Sequence, residues 1–275
     1  MDKEWKRMSR EERQEARFQK WLSGEKIQFV SPKAKEEYHL KTMHLSFTKM
    51  IACRVVIEEM LPLLPEGVDH ETLDFGLHAD PAALNKALQA RIDASNSKGG
   101  TILLGYGLCS RAVAGLRSET STLVVPRVDD CISIFLGSRG AYLRQMSAAP
   151  GTYYLTKGWI EVGDSPFGSY SQMVERYSAE KAEWLMKRML RNYTRLVFID
   201  TGQYEVDHYR QYSKEMADRY SLRFEEIKGS TSLVTKMIYG PWDEEFVVAP
   251  PGRAITYEDF YESQTWKTPA AAQGP

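Results

Sequence analysis

The sequence predicts an α/β protein, built on an open, mostly parallel sheet with helices on both faces and preceded by an N-terminal helical arm. Three observations lead there. From Met50 onward, short apolar and β-branched runs alternate with helix-compatible stretches, the spacing of a parallel sheet with right-handed crossovers. The runs close on glycine, proline or aspartate, residues that punctuate strands and open helices. The 275-residue chain is 43% hydrophobic and 27% charged, which is ordinary for a globular domain with a sizeable core. Such an arrangement is Rossmann-like, and it takes its ligands at the carboxyl ends of the strands.

Residues 1–49 read as a charged helix ending near "WLSGEK", with Trp5, Met8, Ala16, Phe18 and Trp21 as candidate docking residues on an arm or cap. The α/β region spans residues 50–262. It begins with the strand "MIAC" and the helix "RVVIEEMLPLL". The strand "TLDFGLH" follows, then the helix "PAALNKALQARIDASN" with Pro81 in its first turn. "TILLGY" and "LVVPRV" are further strands, each expected to feed a helix. "GTYYLTKGWIEVGDSPFGSY" reads as a loop rich in glycine and aromatics. After it come the helix "SQMVERYSAEKAEWLMKRML", the strand "RLVFID", the helix "EVDHYRQYSKEMADRY" and the segment "LRFEEIKG". A short helix and a final strand complete the domain, and residues 263–275 read as a frayed tail.

Cysteine placement carries the functional signal. Cys53 ends "KMIAC", Cys109 ends "TILLGYGLC", and Cys131 follows "TLVVPRVDD", where Asp129 or Asp130 is suited to cap the next helix. All three thiols are therefore expected at carboxyl ends of strands, each near a helix amino terminus, where positive potential favours the thiolate. His78, after "TLDFGL", is a fourth candidate at the same edge. Three sulfurs and one imidazole suit tetrahedral zinc. Three cysteines alone also suit an iron-sulfur cluster with one iron left open, and lone cysteines equally serve as small core hydrophobes. Arg54, Arg111 and Arg127 are placed to strengthen the field, to pair with carboxylates or to hold an anion. Gly105, Tyr106 and Gly107 are the candidate cofactor-contacting turn. "GYGLCSRAVAG" is nevertheless not GxGxxG, so dinucleotide binding is the weaker reading.

Composition narrows the partners. A formal net charge of -1 gives no electrostatic reason to expect nucleic acid or a membrane surface. No apolar run approaches the roughly 20 residues that span a bilayer. The first residues lack the apolar stretch of a secretory signal, and three cysteines without a CxxC pair predict reduced thiols, so the expected compartment is the cytoplasm.

The motifs "IAC", "LHADP", "ILLGYGLCSRAVAGL", "VVPRVDDCISIFLGSR" and "GTYYLTKGWIE" resemble domain of unknown function family 1638, found in bacteria and archaea, over roughly Ile51 to Ile199. By that resemblance Cys53, His78, Cys109, Arg127, Asp130 and Cys131 fall on family motif positions. The segment from Glu11 to Tyr38 looks like the leading segment of some uroporphyrinogen-decarboxylase-like methyltransferases, whose relatives move methyl groups among corrinoids, folates and thiols. It lacks the barrel that carries their chemistry.

The combined expectation is a thiolate-zinc protein of corrinoid-linked methyl-group or one-carbon metabolism, a methyltransferase-type metalloenzyme that activates a small-molecule substrate. Cys53, Cys109 and Cys131 would hold the metal, with His78 as fourth ligand or nearby acid/base. Arg127 would hold an anionic group and Asp130 would orient a neighbour. A fixed His78 ligand would close the site and make it structural. The alternatives are an iron-sulfur enzyme and a non-catalytic metal or corrinoid-binding accessory of a corrinoid protein or methyltransferase. A homo-oligomer is compatible with either.

Overall fold

In the computed structural model, residues 49–64, 68–95, 99–162 and 165–261 are described. The expected arm up to residue 48, its docking residues Trp5, Met8, Ala16, Phe18 and Trp21, and the tail 263–275 lie outside the described residues.

β1 (Lys49–Cys53) is buried along nearly its whole length and runs into α1 (Arg54–Met60). β2 (His70–Leu73) pairs with β1 in parallel, and a 3-10 turn (Phe75–Ala79) leads from it to α2 (Pro81–Ser95). β3 (Gly100–Gly105) lies on the other side of β1 and pairs in turn with β4 (Ser121–Pro126). α3 (Cys131–Phe135) and α4 (Arg139–Ala148) follow β4. The last strand, β8 (Phe246–Ala249), is antiparallel to β4, so the sheet reads β2-β1-β3-β4-β8. Because the chain reverses its direction of travel across the sheet between β1 and β3, their carboxyl ends flank the switch point where open α/β sheets form a crevice.

The remaining strands form a second sheet. β5 (Thr152–Leu155), β6 (Arg195–Asp200) and β7 (Arg223–Lys228) are parallel, in the order β5-β6-β7. They are interleaved with α5 (Lys157–Glu161), α6 (Tyr170–Arg176), α7 (Ala179–Leu190) and α8 (Asp207–Arg219), and α9 (Ser232–Tyr239) links β7 to β8. Strand periodicity explains how the two sheets share a core. Val197 and Ile199 of β6 face the core of the first sheet, whereas the alternate residues Leu196 and Phe198 pack with Met186, Leu190 and Ala217 of α7 and α8. α1 is buried at Val55, Val56, Ile57, Glu59 and Met60, too many positions for a helix with a solvent face.

The α/β class and the mostly parallel sheet are as the sequence predicts, with four local differences. "GTYYLTKGWIE", read as a loop, holds β5 and α5. The long helix expected from "SQMVERYSAEKAEWLMKRML" is two helices, because the Ser178 hydroxyl accepts the Lys181 N–H and starts a new one. "TLDFGLH" is a strand only as far as Leu73, and the Asp74 carboxylate accepts the Gly76 N–H and turns the chain into 3-10 geometry. No helix follows β3: Cys109 to Gly115 form a run of turns instead. No helix among the described residues is long and apolar enough to cross a membrane.

Candidate functional site

The site is assembled from the ends of β1, β3 and β4. Cys53 is the last residue of β1 and precedes the first turn of α1, so the Val55 and Val56 amides lie near its sulfur. Cys131 is the first residue of α3, whose cap is Asp130: that carboxylate accepts the Ile132 N–H at 3.0 Å and the Ser133 N–H at 3.3 Å. Cys109 occupies the most unusual backbone. Cys109, Ser110 and Arg111 have φ of 46°, 55° and 72°, one turn of left-handed chain closed by the Ala112 N–H on the Cys109 carbonyl at 3.1 Å. L-residues resist this conformation by about 1–2 kcal/mol each, and strain of this kind collects at functional sites.

Two glycines draw the three strand ends together. A Cβ on Gly105 would stand 2.5 Å from the Cβ of Ala52, the neighbour of Cys53. A Cβ on Gly107 would stand 2.7 Å from the backbone nitrogen of Asp130, the neighbour of Cys131. The Leu108 and Cys109 amides then bond to the Val128 and Asp129 carbonyls at 2.8 and 3.0 Å. Gly105 and Gly107, expected at a cofactor, thus have their open faces filled by protein, Gly105 by the Ala52 side chain and Gly107 by the Asp130 and Val128 backbone. Their effect is to press the Cys109 turn against the chain bearing the other two thiols.

The three sulfurs are electrostatic neighbours. Burial pushes the Cys53 thiol up to about 11 and the Cys109 thiol up to about 12, and it raises Cys131 strongly; Cys53 adds to the rise at both Cys109 and Cys131. Cys109 and Cys131 are half-buried residues, yet their sulfurs lie deep enough for desolvation to dominate. Without a bound cation all three are neutral thiols at pH 7, contrary to the simple expectation from nearby helix termini. Among the described residues, no three His, Cys, Asp or Glu side chains are grouped so as to hold a metal ion as they stand.

His78 is held by contacts with Phe75 and Tyr106. Its Nδ1 donates to the Phe75 carbonyl at 3.0 Å, and its ring stacks on Phe75 at 4.8 Å and lies 6.1 Å from the Tyr106 ring. Burial lowers its basicity, and with Nδ1 donating, Nε2 is the unprotonated nitrogen of the neutral ring. Arg127, expected to hold an anion, donates to the Phe246 carbonyl at 3.2 Å and so is engaged by β8. Arg111 stacks over Tyr257 at 4.5 Å. Asp130 has its acidity weakened by burial, partly offset by the two amides it caps and by the Tyr142 hydroxyl.

Residues with no cysteine-like signal complete the surroundings. α5 packs on α1 at Gly158, where a Cβ would lie 2.7 Å from the Val55 carbonyl, and this brings Trp159 edge-on to Phe75 at 4.7 Å. The Trp159 indole N–H and the hydroxyls of Tyr106 and Ser133 are buried without hydrogen-bond partners. Tyr106 has Cys53 and Cys109 as charge neighbours, and Trp159 acts on Cys131. The sequence placed Tyr106 in the candidate turn and Trp159 in the loop rich in aromatics, whereas it gave Ser133 and Tyr142 no role.

A second polar cluster, absent from the sequence reading, joins the two sheets. Glu59 of α1 is 2% exposed; its Oε2 accepts the Thr201 hydroxyl while Oε1 has no partner. Burial raises its carboxyl to about 7, against the opposing pull of Thr201, Lys157 and Tyr204. The usable signal was its position: Val55, Val56, Glu59 and Met60 share one apolar stripe.

The family model for a protein of unknown function (DUF1638) matches residues 72–238, more than half of the chain. The chain belongs to that family. The matched DUF1638 region includes His78, Cys109, Arg127, Asp130 and Cys131 and begins after Cys53. No curated protein and no solved structure matches the chain.

Proposed function

We infer that Cys53, Cys109 and Cys131 form a three-thiolate metal site with its remaining coordination position open to a small substrate. The observation that carries this reading is the close approach of Gly105 to Ala52 and of Gly107 to Asp130, which gathers the three thiol-bearing strand ends at the switch point of the sheet. A bound cation would offset the desolvation that keeps the thiols neutral, since coordination releases the proton of each ligand. Zinc is the leading metal: with three thiolates it is a Lewis acid that binds and activates a thiol or carbonyl group. His78, stacked on Phe75, then serves as a nearby acid/base and Asp130 holds the turn that carries Cys131. The resemblance of the amino-terminal segment to corrinoid-linked methyltransferases favours a substrate from methyl-group or one-carbon chemistry and a corrinoid protein or methyltransferase as partner.

A second reading is an iron-sulfur cluster on the same three cysteines. Tetrahedral zinc with bonds of about 2.3 Å requires sulfurs about 3.8 Å apart, and the thiols are not grouped for one ion as they stand. A cluster spreads its three ligands more widely. The test is anaerobic purification followed by metal analysis and a visible spectrum, with Cys109→Ser alongside. About one zinc per chain without colour, lost in the variant, is the expected outcome. Iron with sulfide and a broad brown absorbance selects the cluster. No metal after reconstitution refutes the three-thiolate site.

A further inference from the structure

We propose that the groove between α6 and α7 is a docking surface for an acidic amphipathic helix of a partner protein. The two helices are joined by Tyr177 and Ser178 and pack against each other. α7 commits Ala182, Met186 and Leu190, one stripe at helical spacing, to the core of the second sheet, so its outer face is expected to be polar. That face carries Trp184 at 60% and Met189 at 48% exposure, with Tyr177 at 47% beside them. These are three of the five large hydrophobic side chains exposed among the described residues, and all three lie on this hairpin. A single exposed apolar side chain needs no explanation, whereas a cluster of them marks an interaction surface.

Shape selects a helix. Met173 of α6, Tyr177, and Leu185 and Met189 of α7 line a groove of about 310 Å³. A concave slot rich in methionine takes up the apolar side chains that a helix presents at i, i+3, i+4 and i+7, whereas a bilayer surface leaves it unfilled. Charge selects the sign. Arg176 lines the groove, and none of the lining residues is a carboxylate. Lys181 and Arg188, seven residues apart and both exposed, stand on the same side of α7 as Leu185. Arg176 and Lys181 are already held at the rim, 5.4 and 5.0 Å from the centre of the Tyr177 ring. Glu183, on another side of α7, is paired with Arg219. Carboxylates flanking the apolar stripe of a partner helix therefore meet cations set in place for them. The same arrangement disfavours other occupants. Two copies of this face would press Arg176, Lys181 and Arg188 against one another, a like-charge contact. Stacked nucleic-acid bases would compete with the two cations for the Tyr177 ring.

The test uses the full-length protein and two synthetic peptides of about 16 residues, long enough to be helical. Both carry leucine at i, i+3, i+4 and i+7; the flanking positions are glutamate in one and lysine in the other. Isothermal titration should show saturable binding of the glutamate peptide, with the lysine peptide weaker by about tenfold or more. Met189→Glu sets a carboxylate in the groove and should abolish binding of the glutamate peptide. The double variant Arg176→Glu with Arg188→Glu should reverse the preference, so that the lysine peptide binds the more tightly. All three replaced side chains are exposed, so the variants should melt at the temperature of the parent. Failure of the parent to bind the glutamate peptide, or equal binding of both peptides that the charge reversal leaves unchanged, overturns the proposal. A different occupant overturns it too: a dimer in sedimentation equilibrium that Met189→Glu dissociates gives the face to a second copy, and cosedimentation with phosphatidylserine vesicles that the double variant abolishes gives it to a membrane.

Discussion

Replacing Glu59 with glutamine should abolish a pH dependence of stability that this residue imposes. Its carboxyl is 2% exposed, and burial lifts it from 4.5 to about 7. The facing groups are Thr201 and Tyr204 from the chain after β6, Lys157 from α5, and Glu58 on α1 itself. Because the folded-state value is raised, the unfolded chain ionises first as pH rises. The folded protein then holds the extra proton between about pH 4.5 and 7, and its stability falls through that window. At about 1.4 kcal/mol per pH unit, the loss above pH 7 is on the order of 3 kcal/mol. Glutamine copies the protonated acid: one oxygen still accepts from Thr201, and the amide places a donor where the acid carries its proton. Urea unfolding of parent and Glu59→Gln at pH 5, 6, 7 and 8 measures the effect. The variant should gain stability relative to the parent with each step up to pH 7 and then hold level. Parallel stabilities from pH 5 to 8 would refute the buried placement of this carboxyl at the junction of the sheets.

Four other outcomes follow from the site. Gly107→Ala forces a Cβ to within 2.7–2.9 Å of the Asp130 and Val128 backbone; it should cost about 1–3 kcal/mol in urea unfolding and reduce metal uptake, and a neutral result would show that the strand ends are not pressed together there. Asp130→Ala deletes the cap of α3 and should cost about 1 kcal/mol, read by the same unfolding curves. In metal-free protein the thiols should alkylate slowly at pH 8 and speed up only towards pH 11, following the raised Cys53 and Cys109; mass spectrometry of iodoacetamide adducts over time checks this, and rapid labelling at pH 7 contradicts it. His78→Ala should retain the metal lost by Cys109→Ser, because the imidazole is engaged by its stack on Phe75 and its bond to the Phe75 carbonyl; equal loss in both variants would keep His78 in the ligand set.

Local signals decide most of what was legible. The β-branched runs, Pro81 at the start of α2 and Asp130 before α3 act within a few residues of themselves, so most of the strands and helices and the carboxyl-edge positions of the cysteines could be read from the sequence. Three local signals competed with stronger neighbours and misled. "SRAVAG" has helix-forming residues, but the contacts of Gly107 with Asp130 and of Leu108 and Cys109 with Val128 and Asp129 hold the chain in a left-handed turn. Asp74 turns the chain before His78, and Ser178 divides a helix whose apolar pattern looks continuous.

By itself, then, the sequence determined the α/β class, a mostly parallel sheet and the presence of thiols near strand ends, because these follow from hydrophobic period and turn chemistry along the chain. Only the tertiary structure decided that β5-β6-β7 form a separate sheet, that Gly105 packs on the Ala52 side chain and Gly107 on the Asp130 backbone, and that the His78 ring stacks on Phe75. It alone buried Glu59 at the junction of the sheets and left the Tyr106 hydroxyl without a partner. Each of these depends on which distant segments meet, and it is their meeting that removes water, raises the thiols and the carboxyl, and sets the chemistry available to the site.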